Sequence, residues 1–140
     1  MSEPESRPPL VDSCLCIAGF DFDVEACTRA VGLEPTRVWR QKHDHIKRSA
    51  PGLPTTNWLV ETGKQPCYDI SDSVQQILNI VVPKRQEILS FAAANSLSVE
   101  FITKVVITED RPVYELRPEV LRELAPFSVS YSLDIYDYSE

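Results

Sequence analysis

A regular spacing of apolar residues gives the clearest structural signal in the chain. Ile70, Val74, Ile77, Leu78 and Val81 recur at i, i+4, i+7, i+8 and i+11, which places them on one face of an α-helix. Asp69 or Ser71, at the beginning of this stripe, is suited to cap the helix N-terminus. The spacing therefore predicts an amphipathic helix over residues 70–81 that packs on a core.

The stretch from Ile17 to Gln41 predicts a strand end, a helix and a second strand. Asp23 is suited to cap the helix, whose inner face carries Val24, Cys27 and Val31. Gly32 stands where a left-handed residue ends a helix, and Pro35 prevents the helix from resuming. Residues 36–40 then alternate with the period of a strand, with Val38 and Arg40 on the face opposite to Trp39.

Period-two alternation predicts further strands. The strand over 57–62 has Trp58 and Val60 on one face, and the strand over 97–108 carries apolar residues on both faces. In the last strand, apolar residues alternate with solvent-facing residues, as is typical of a sheet with one buried face. The residues predicted to face inward are Phe127, Val129, Tyr131, Leu133 and Ile135. A helix beginning at Pro83 and ending at Asn95, a short strand over 113–116 and a helix over 118–126 complete the pattern.

Strands that alternate in polarity, interspersed with helices, indicate an α+β fold. We predict a two-layer sandwich with a mostly antiparallel sheet and helices on one face. The specific expectation is a ferredoxin-like core with additional strands. Residues 1–9 are predicted to be a disordered lead-in, and residues 10–140 form a single domain.

Composition and charge narrow the function classes. The 140 residues are 43% hydrophobic and 25% charged, which is ordinary for a soluble globular protein, and no apolar run approaches the roughly 20 residues that span a bilayer. The N-terminus has no secretory signal, so we expect a cytoplasmic protein without a membrane partner.

The charge is unevenly distributed along the chain. Residues 37–48 have five basic residues and one Asp, a net charge of +4, so the rest of the chain, whose total charge is −7, carries −11. An acidic body with one short basic loop argues against nucleic-acid binding.

The four cysteines and two histidines give little support for a metal or redox site. Cys14 and Cys16 face the same way on a predicted strand, without a CxxC pair, and we expect both to be buried and reduced. His43 and His45 flank Asp44 in a predicted loop over 41–55. Two histidines exposed to solvent in this loop are a simpler interpretation than a metal site. No cofactor is predicted.

No familiar catalytic arrangement is present in the sequence. It lacks a Gly-rich phosphate loop and a G-x-S-x-G elbow, and both histidines share one predicted loop, which leaves none elsewhere to pair with a nucleophilic Cys or Ser. Asp21 and Asp23 are better explained by a turn and a helix cap than by a catalytic carboxylate pair. The sequence leaves enzyme activity open but favours a protein without it, and no catalytic residue is proposed.

Several short motifs resemble those of a bacterial domain-of-unknown-function family, over roughly Cys14 to Tyr136. The family's Gly-x-Asp-x-Asp pattern corresponds to Gly19–Asp23, its Leu-Gly-x-x-Pro-Thr pattern to Val31–Thr36, and its Leu-Asp-Ile-Tyr pattern to Leu133–Tyr136. Trp39-Arg40 is also similar. The chain departs from the family at Cys27, and it lacks the glycine expected soon after Arg40. Some small bacterial proteins of this kind look like immunity proteins, and the resemblance implies no catalytic residues.

Two function classes follow. The first is an acidic binding protein that docks a basic partner protein, most concretely an immunity or antitoxin protein of a bacterial toxin system, through Asp134, Tyr136, Asp137 and Tyr138. A solubilising strand end is the alternative interpretation of those four residues. The second class is a small enzyme or small-ligand-binding protein with a pocket near Trp39, Arg40 and Trp58. The oligomeric state is left open.

Overall fold

The computed structural model describes residues 6–40 and 55–139. Within these ranges, six strands form one mixed sheet in the order β2-β3-β1-β5-β6, with the short β4 also paired to β1. The strand pairs are antiparallel except for β5 and β6, which run parallel. The strands are β1 (Leu10–Gly19), β2 (Arg37–Arg40), β3 (Thr56–Glu61), β4 (Gln65–Pro66), β5 (Ser98–Ile107) and β6 (Ser130–Asp137).

The four α-helices begin and end close to their predicted positions. Asp23 caps α1 by accepting hydrogen bonds from the backbone N–H groups of Glu25 and Ala26, and Gly32 ends the helix at φ 81°. The apolar stripe predicted over 70–81 is the buried face of α2. The helices are α1 (Val24–Val31), α2 (Ile70–Val81), α3 (Arg85–Ala94) and α4 (Pro118–Leu124).

The core lies between these helices and one face of the sheet. Leu15, Ile17, Trp58 and Phe101 project from the strands, and residues of all four helices or of the turns beside them pack against these side chains. Trp58 is fully buried, and its indole N–H donates to the Thr28 hydroxyl of α1 at 3.0 Å. The predicted two-layer α+β sandwich is therefore confirmed.

Strand order and direction match a ferredoxin-like core with additional strands. The chain forms two βαβ units, β1-α1-β2 and β3-α2-α3-β5, which are interleaved in the sheet. β3 lies between β1 and β2, β1 lies between β3 and β5, and each of these neighbours is antiparallel. α4 then leads to β6, which extends the sheet beyond β5. β3 and β4 both pair with β1 on the side away from β5, β3 with the end of β1 and β4 with its beginning. Between the pairs Cys14↔Glu61 and Leu10↔Pro66, the register shifts by one residue.

Two predicted features near the C-terminus need correction. Residues 113–116 do not form a strand; Val113 makes only an isolated bridge to Asp69. In the last strand, Leu133 and Ile135 share the parity of the core-facing residues but are 42% and 47% exposed. The helix layer stops short of these two side chains, so the inner face of β6 is buried only at its beginning.

The remaining sequence expectations concern the N-terminus and one loop. Of the predicted lead-in, residues 1–5 lie outside the described residues, whereas the carbonyl oxygens of Arg7 and Pro9 accept hydrogen bonds from the N–H groups of Asp110 and Cys67. Residues 7–9 are thus attached to the fold. His43, His45 and most of the predicted loop over 41–55 lie outside the described residues. Among the described residues, no helix has the length and apolar character needed to cross a membrane.

Candidate functional site

The sheet has a second face, on the side opposite the helices, which gathers side chains from five strands. Strand pairing assigns to this open face the side chains that alternate with the core residues. Arg37 and Trp39 lie on β2, at one end, and Asp134 and Tyr136 lie on β6, at the other. Between them lie Asn57, Leu59 and Glu61 of β3, Cys14 and Cys16 of β1, and Glu100, Ile102 and Lys104 of β5. We refer to these twelve side chains as the open face.

A shallow groove of about 320 Å³ occupies the β2 end of the open face. Cys16 and Leu59 are buried and form its floor, and Trp39, which is 53% exposed, forms a wall. The groove is lined by Cys16, Arg37, Trp39, Asn57, Leu59, Glu100 and Ile102. Its volume lies at the lower end of the range for small-ligand pockets, about 300–1,000 Å³.

Hydrogen bonds hold the polar side chains of the groove in fixed orientations. The Arg37 guanidinium donates to Glu61 Oε2 at 3.1 Å, and the Thr36 hydroxyl donates to Glu61 Oε1 at 2.9 Å. The Cys16 thiol donates to Asn57 Oδ1 at 3.4 Å, and Asn57 Nδ2 donates to Thr55 Oγ1 at 3.2 Å. Arg37 and Asn57 are therefore preorganised before any ligand or partner arrives.

The two cysteines of the open face are neutral thiols. Burial is the largest cause that raises the pKa of Cys14 to about 12 and the pKa of Cys16 to about 11. Burial also raises the pKa of Cys27 to about 12. The expected burial of Cys14 and Cys16 is confirmed, and all four cysteines are free in the structure. A thiolate nucleophile at these three positions is unfavourable at neutral pH.

The structure separates the residues of the predicted tryptophan pocket. Trp39 lies on the open face, whereas Trp58 is buried on the helix face and bonded to Thr28. Arg40 shares the parity of Val38 and so lies on the side opposite to Trp39. Of these three residues, only Trp39 lines the groove. Trp39 and Trp58 thus lie on opposite faces of the sheet, and the pocket predicted near Trp39, Arg40 and Trp58 stays a prediction.

The predicted docking residues on β6 are also divided. Asp134 and Tyr136 lie on the open face, and the Tyr136 hydroxyl donates to Asp134 Oδ2 at 2.7 Å; this hydrogen bond is the main cause that raises the pKa of Tyr136. Tyr138, just beyond the strand, is 67% exposed and lies with Tyr136 beside Lys64 and Lys104. The surface at this end of the sheet carries both signs of charge.

Asp137 points to the other side of β6 and has partners of its own. Its carboxylate accepts from Ser139 and forms a salt bridge of 2.6 Å with Arg111. The hydrogen bonds from Ser139, followed by the one from Arg111, lower the pKa of Asp137 to about 2. Its charge is thus partly neutralised within the chain.

Sequence reasoning missed most of the groove. Arg37, Asn57, Leu59, Glu100 and Ile102 were not identified as site residues, although strand parity alone separates them from the core residues. What was lacking was the order of the strands, which brings three sequence-distant segments onto one face. No group of three or more His, Cys, Asp or Glu that could hold a metal is found among residues 6–40 and 55–139.

Comparison with known proteins gives one match. The model of a family described as "Domain of unknown function (DUF4279)" matches residues 11–138. No curated protein and no solved structure matches the chain.

Proposed function

Because the chain belongs to the DUF4279 family, a family described only as a domain of unknown function, we propose its function from the open face itself. The protein is a non-catalytic acidic binding protein that docks a basic partner protein across this face. In its most concrete form it is an immunity or antitoxin protein of a bacterial toxin system.

The observation that carries this proposal is the presence of exposed aromatic residues at both ends of one sheet face. Trp39 on β2 and Tyr136 on β6 lie at diagonally opposite corners of this face, roughly 20 Å apart across four strand spacings and roughly 26 Å apart along the strands, because Trp39 is in register with Ala18 and Tyr136 with Leu10. Leu59 and Ile102 provide apolar surface between them. Trp, Tyr and Arg dominate the binding energy of protein interfaces, and Arg37 stands beside Trp39. This arrangement suits a broad protein epitope better than a closed ligand pocket.

The charges of the open face support a basic partner. Glu100 lies near its centre, and its carboxylate accepts a weak hydrogen bond from the Ser132 hydroxyl at 3.5 Å. The positive charge of Arg37 is already compensated by Glu61. Lys104 is the cross-strand neighbour of Asp134, so the open face carries three carboxylates, Glu61, Glu100 and Asp134, against two cations, Arg37 and Lys104. Together with the chain's net charge of −7, this acidic excess attracts a basic partner at long range and raises its association rate.

An immunity role agrees with this charge balance. A toxin that acts on nucleic acid needs a basic surface to hold phosphates, and an acidic inhibitor is complementary to such a surface. The concrete assignment to a toxin system rests on the resemblance of the chain to small immunity-like bacterial proteins.

The test measures association with the product of the open reading frame immediately upstream of this gene. We expect Glu100→Lys combined with Asp134→Lys to slow association at least tenfold, and we expect the wild-type rate to fall as salt rises. Glu25→Lys combined with Glu87→Lys, on α1 and α3, is the matched control and should change the rate much less. Equal association rates for the two double variants, or a wild-type association rate that does not change with salt concentration, would contradict docking at the open face.

The groove beside Trp39 favours a second candidate function, the binding of a small ligand. Arg37, Asn57 and Glu100 supply a cation, an amide and a carboxylate around an apolar floor. Trp39 fluorescence reports on this groove, because Trp58 is buried on the other face. A metabolite that binds there should change the emission of wild-type protein and of Trp58→Phe, but not of Trp39→Phe. A response that survives in Trp39→Phe excludes this groove as the site.

A further inference from the structure

The outer edge of β6 has backbone hydrogen-bonding groups that pair with no strand among residues 6–40 and 55–139. The Tyr138 N–H donates to Ile107 O at 2.8 Å, so the even-numbered residues of β6 direct their backbone groups toward β5. By alternation, the N–H and C=O groups of Tyr131, Leu133, Ile135 and Asp137 point away from the sheet. Within the described residues, no strand pairs with them.

The two edges of the sheet differ in their protection against pairing. β2, at one edge, is four residues long and has Arg37 and Arg40 at its ends. β6, at the other, is eight residues long and contains no Pro, Gly, Lys or Arg. Short length, charged side chains (above all Lys) and prolines are the usual means by which proteins prevent edge-to-edge association. Of these, β6 has only the carboxylates of Asp134 and Asp137, and the Asp137 carboxylate is paired with Arg111.

The side chains of β6 are compatible with a second copy of β6. In an antiparallel pair centred on Leu133, both copies of Leu133 are opposite each other, and Tyr131 is opposite Ile135. The half-exposed side chains Leu133 and Ile135, left uncovered by the helices, then gain apolar neighbours. The outward-pointing backbone groups belong to these same residues, so Leu133 with Leu133 and Tyr131 with Ile135 form the hydrogen-bonded pairs of the ladder.

The positions of the carboxylates in β6 favour the register centred on Leu133 over the neighbouring ones. Centring on Leu133 places Asp134 opposite Ser132, on the open face, and keeps the carboxylates of the two copies apart. Centring on Asp134 places the two Asp134 side chains directly opposite each other, which is destabilising. Centring on Ile135 places Leu133 opposite Asp137.

We propose that two copies of this chain associate through antiparallel pairing of β6 with β6, in the register centred on Leu133. The two sheets become one continuous sheet, and the two open faces lie side by side on the same surface. This inference is independent of the proposed function, because the edge of β6 and the open face are different surfaces. An interface of a single strand pair is small, below about 1,200 Å², so we expect a dimer that dissociates on dilution.

The first test is the molecular mass in solution, measured by sedimentation equilibrium over a range of concentrations. We expect a mass approaching twice that of the chain at high concentration. Leu133→Lys, which puts a charge on a half-exposed side chain at the pairing edge, should return the protein to a monomer. Val38→Lys, at a comparably exposed position of β2, should leave the dimer intact. A wild-type monomer at all concentrations, or a dimer that Leu133→Lys does not weaken, overturns the proposal.

The second test determines the register by cross-linking in a Cys67→Ser background, which removes the one cysteine that is not buried. Two Leu133→Cys chains bring their Cα atoms to about 5.5 Å, within disulfide range. Two Ile135→Cys chains hold these atoms more than about 13 Å apart along the strands. Mild oxidation should therefore link Leu133→Cys into a dimer and leave Ile135→Cys unlinked, while both variants retain the wild-type circular dichroism. Equal linking of the two variants, or none of Leu133→Cys, rules out this register.

Discussion

The Ser13 hydroxyl of the central strand lies 2.7 Å from the Ser73 hydroxyl of α2, and both side chains are buried. Ser13 also lies 2.9 Å from the Thr103 hydroxyl of β5, which accepts a hydrogen bond from Tyr131 of β6 at 2.8 Å. This chain of hydroxyls joins three strands and a helix inside an otherwise apolar layer. Ser13 and Thr103 each have two partners in this chain of hydroxyls, whereas Ser73 and Tyr131 each have one.

Removal of the second hydroxyl of a bonded pair should therefore cost less than removal of the same hydroxyl from the intact protein. We expect Ser13→Ala to lower the free energy of unfolding by about 1–3 kcal/mol, because Ser73 loses its partner in a buried site. Adding Ser73→Ala to Ser13→Ala should cost less than Ser73→Ala alone, a coupling that denaturant unfolding of the four proteins measures. Ser130→Ala, at an exposed position, should stay within about 0.5 kcal/mol. Strictly additive effects would show that the hydroxyls act independently.

Thiol reactivity should distinguish one cysteine from the other three. Burial raises the pKa of Cys14, Cys16 and Cys27 to between about 11 and 12, so almost no thiolate is present at neutral pH. Cys67 is only half-buried and should react first with a chromogenic disulfide reagent. We expect one fast thiol in native protein, none in Cys67→Ser, and four in denatured protein. Fast reaction of a second native thiol would contradict the burial of the open-face cysteines.

Asp137 should contribute a pH-dependent part of the stability. Its pKa is lowered from 3.8 to about 2 in the folded protein, so the ionised form is favoured by folding. The contribution is complete above the unfolded pKa and is lost as the pH falls through the folded pKa. The denaturant midpoint of Asp137→Asn should lie below that of the wild type at neutral pH, and the two should converge between about pH 4 and pH 2. A gap that stays constant across this range would mean that the Asp137 carboxylate does not act through its charge.

The N-terminal cap of α1 provides a local test of the fold. Asp23 Oδ1 accepts from the backbone N–H groups of Glu25 and Ala26 at 3.0 and 3.1 Å. Asp23→Ala should lower the free energy of unfolding by about 1 kcal/mol, whereas Asp23→Asn retains the acceptor and should lose less. Thermal or denaturant unfolding measures the difference. Equal losses for both variants would assign the effect to the charge of Asp23 rather than to its hydrogen bonds.

Local patterns predicted the elements well, because the signals that define them are local. The stripe from Ile70 to Val81 and the cap at Asp23 were both recognised from their own neighbours in sequence. Exposure depends instead on what covers a residue. Leu133 has the parity of a core residue, but its burial would require a helix over β6, and no pattern in β6 reports on that.

The candidate site could be predicted only in part, for a related reason. Trp39 and Asp134 were both named from sequence, yet as members of separate sites, because parity within one strand does not tell which strands are neighbours. The opposite orientations of Trp39 and Trp58 follow from the register of β2 on β3. That register depends on residues distant in sequence, which hydrophobic periodicity does not determine.

The position of β1 at the centre of the sheet has a consequence for folding kinetics. Its partners follow much later in the chain, since Leu15 pairs with Val60 on one side and with Phe101 on the other. On the ribosome, β1 emerges long before β5 and must wait for it with both hydrogen-bonding edges open. Contacts of such large sequence separation slow the search for the native state and leave the early chain prone to association. We therefore expect β1, rather than any helix, to be the segment that a nascent-chain chaperone protects.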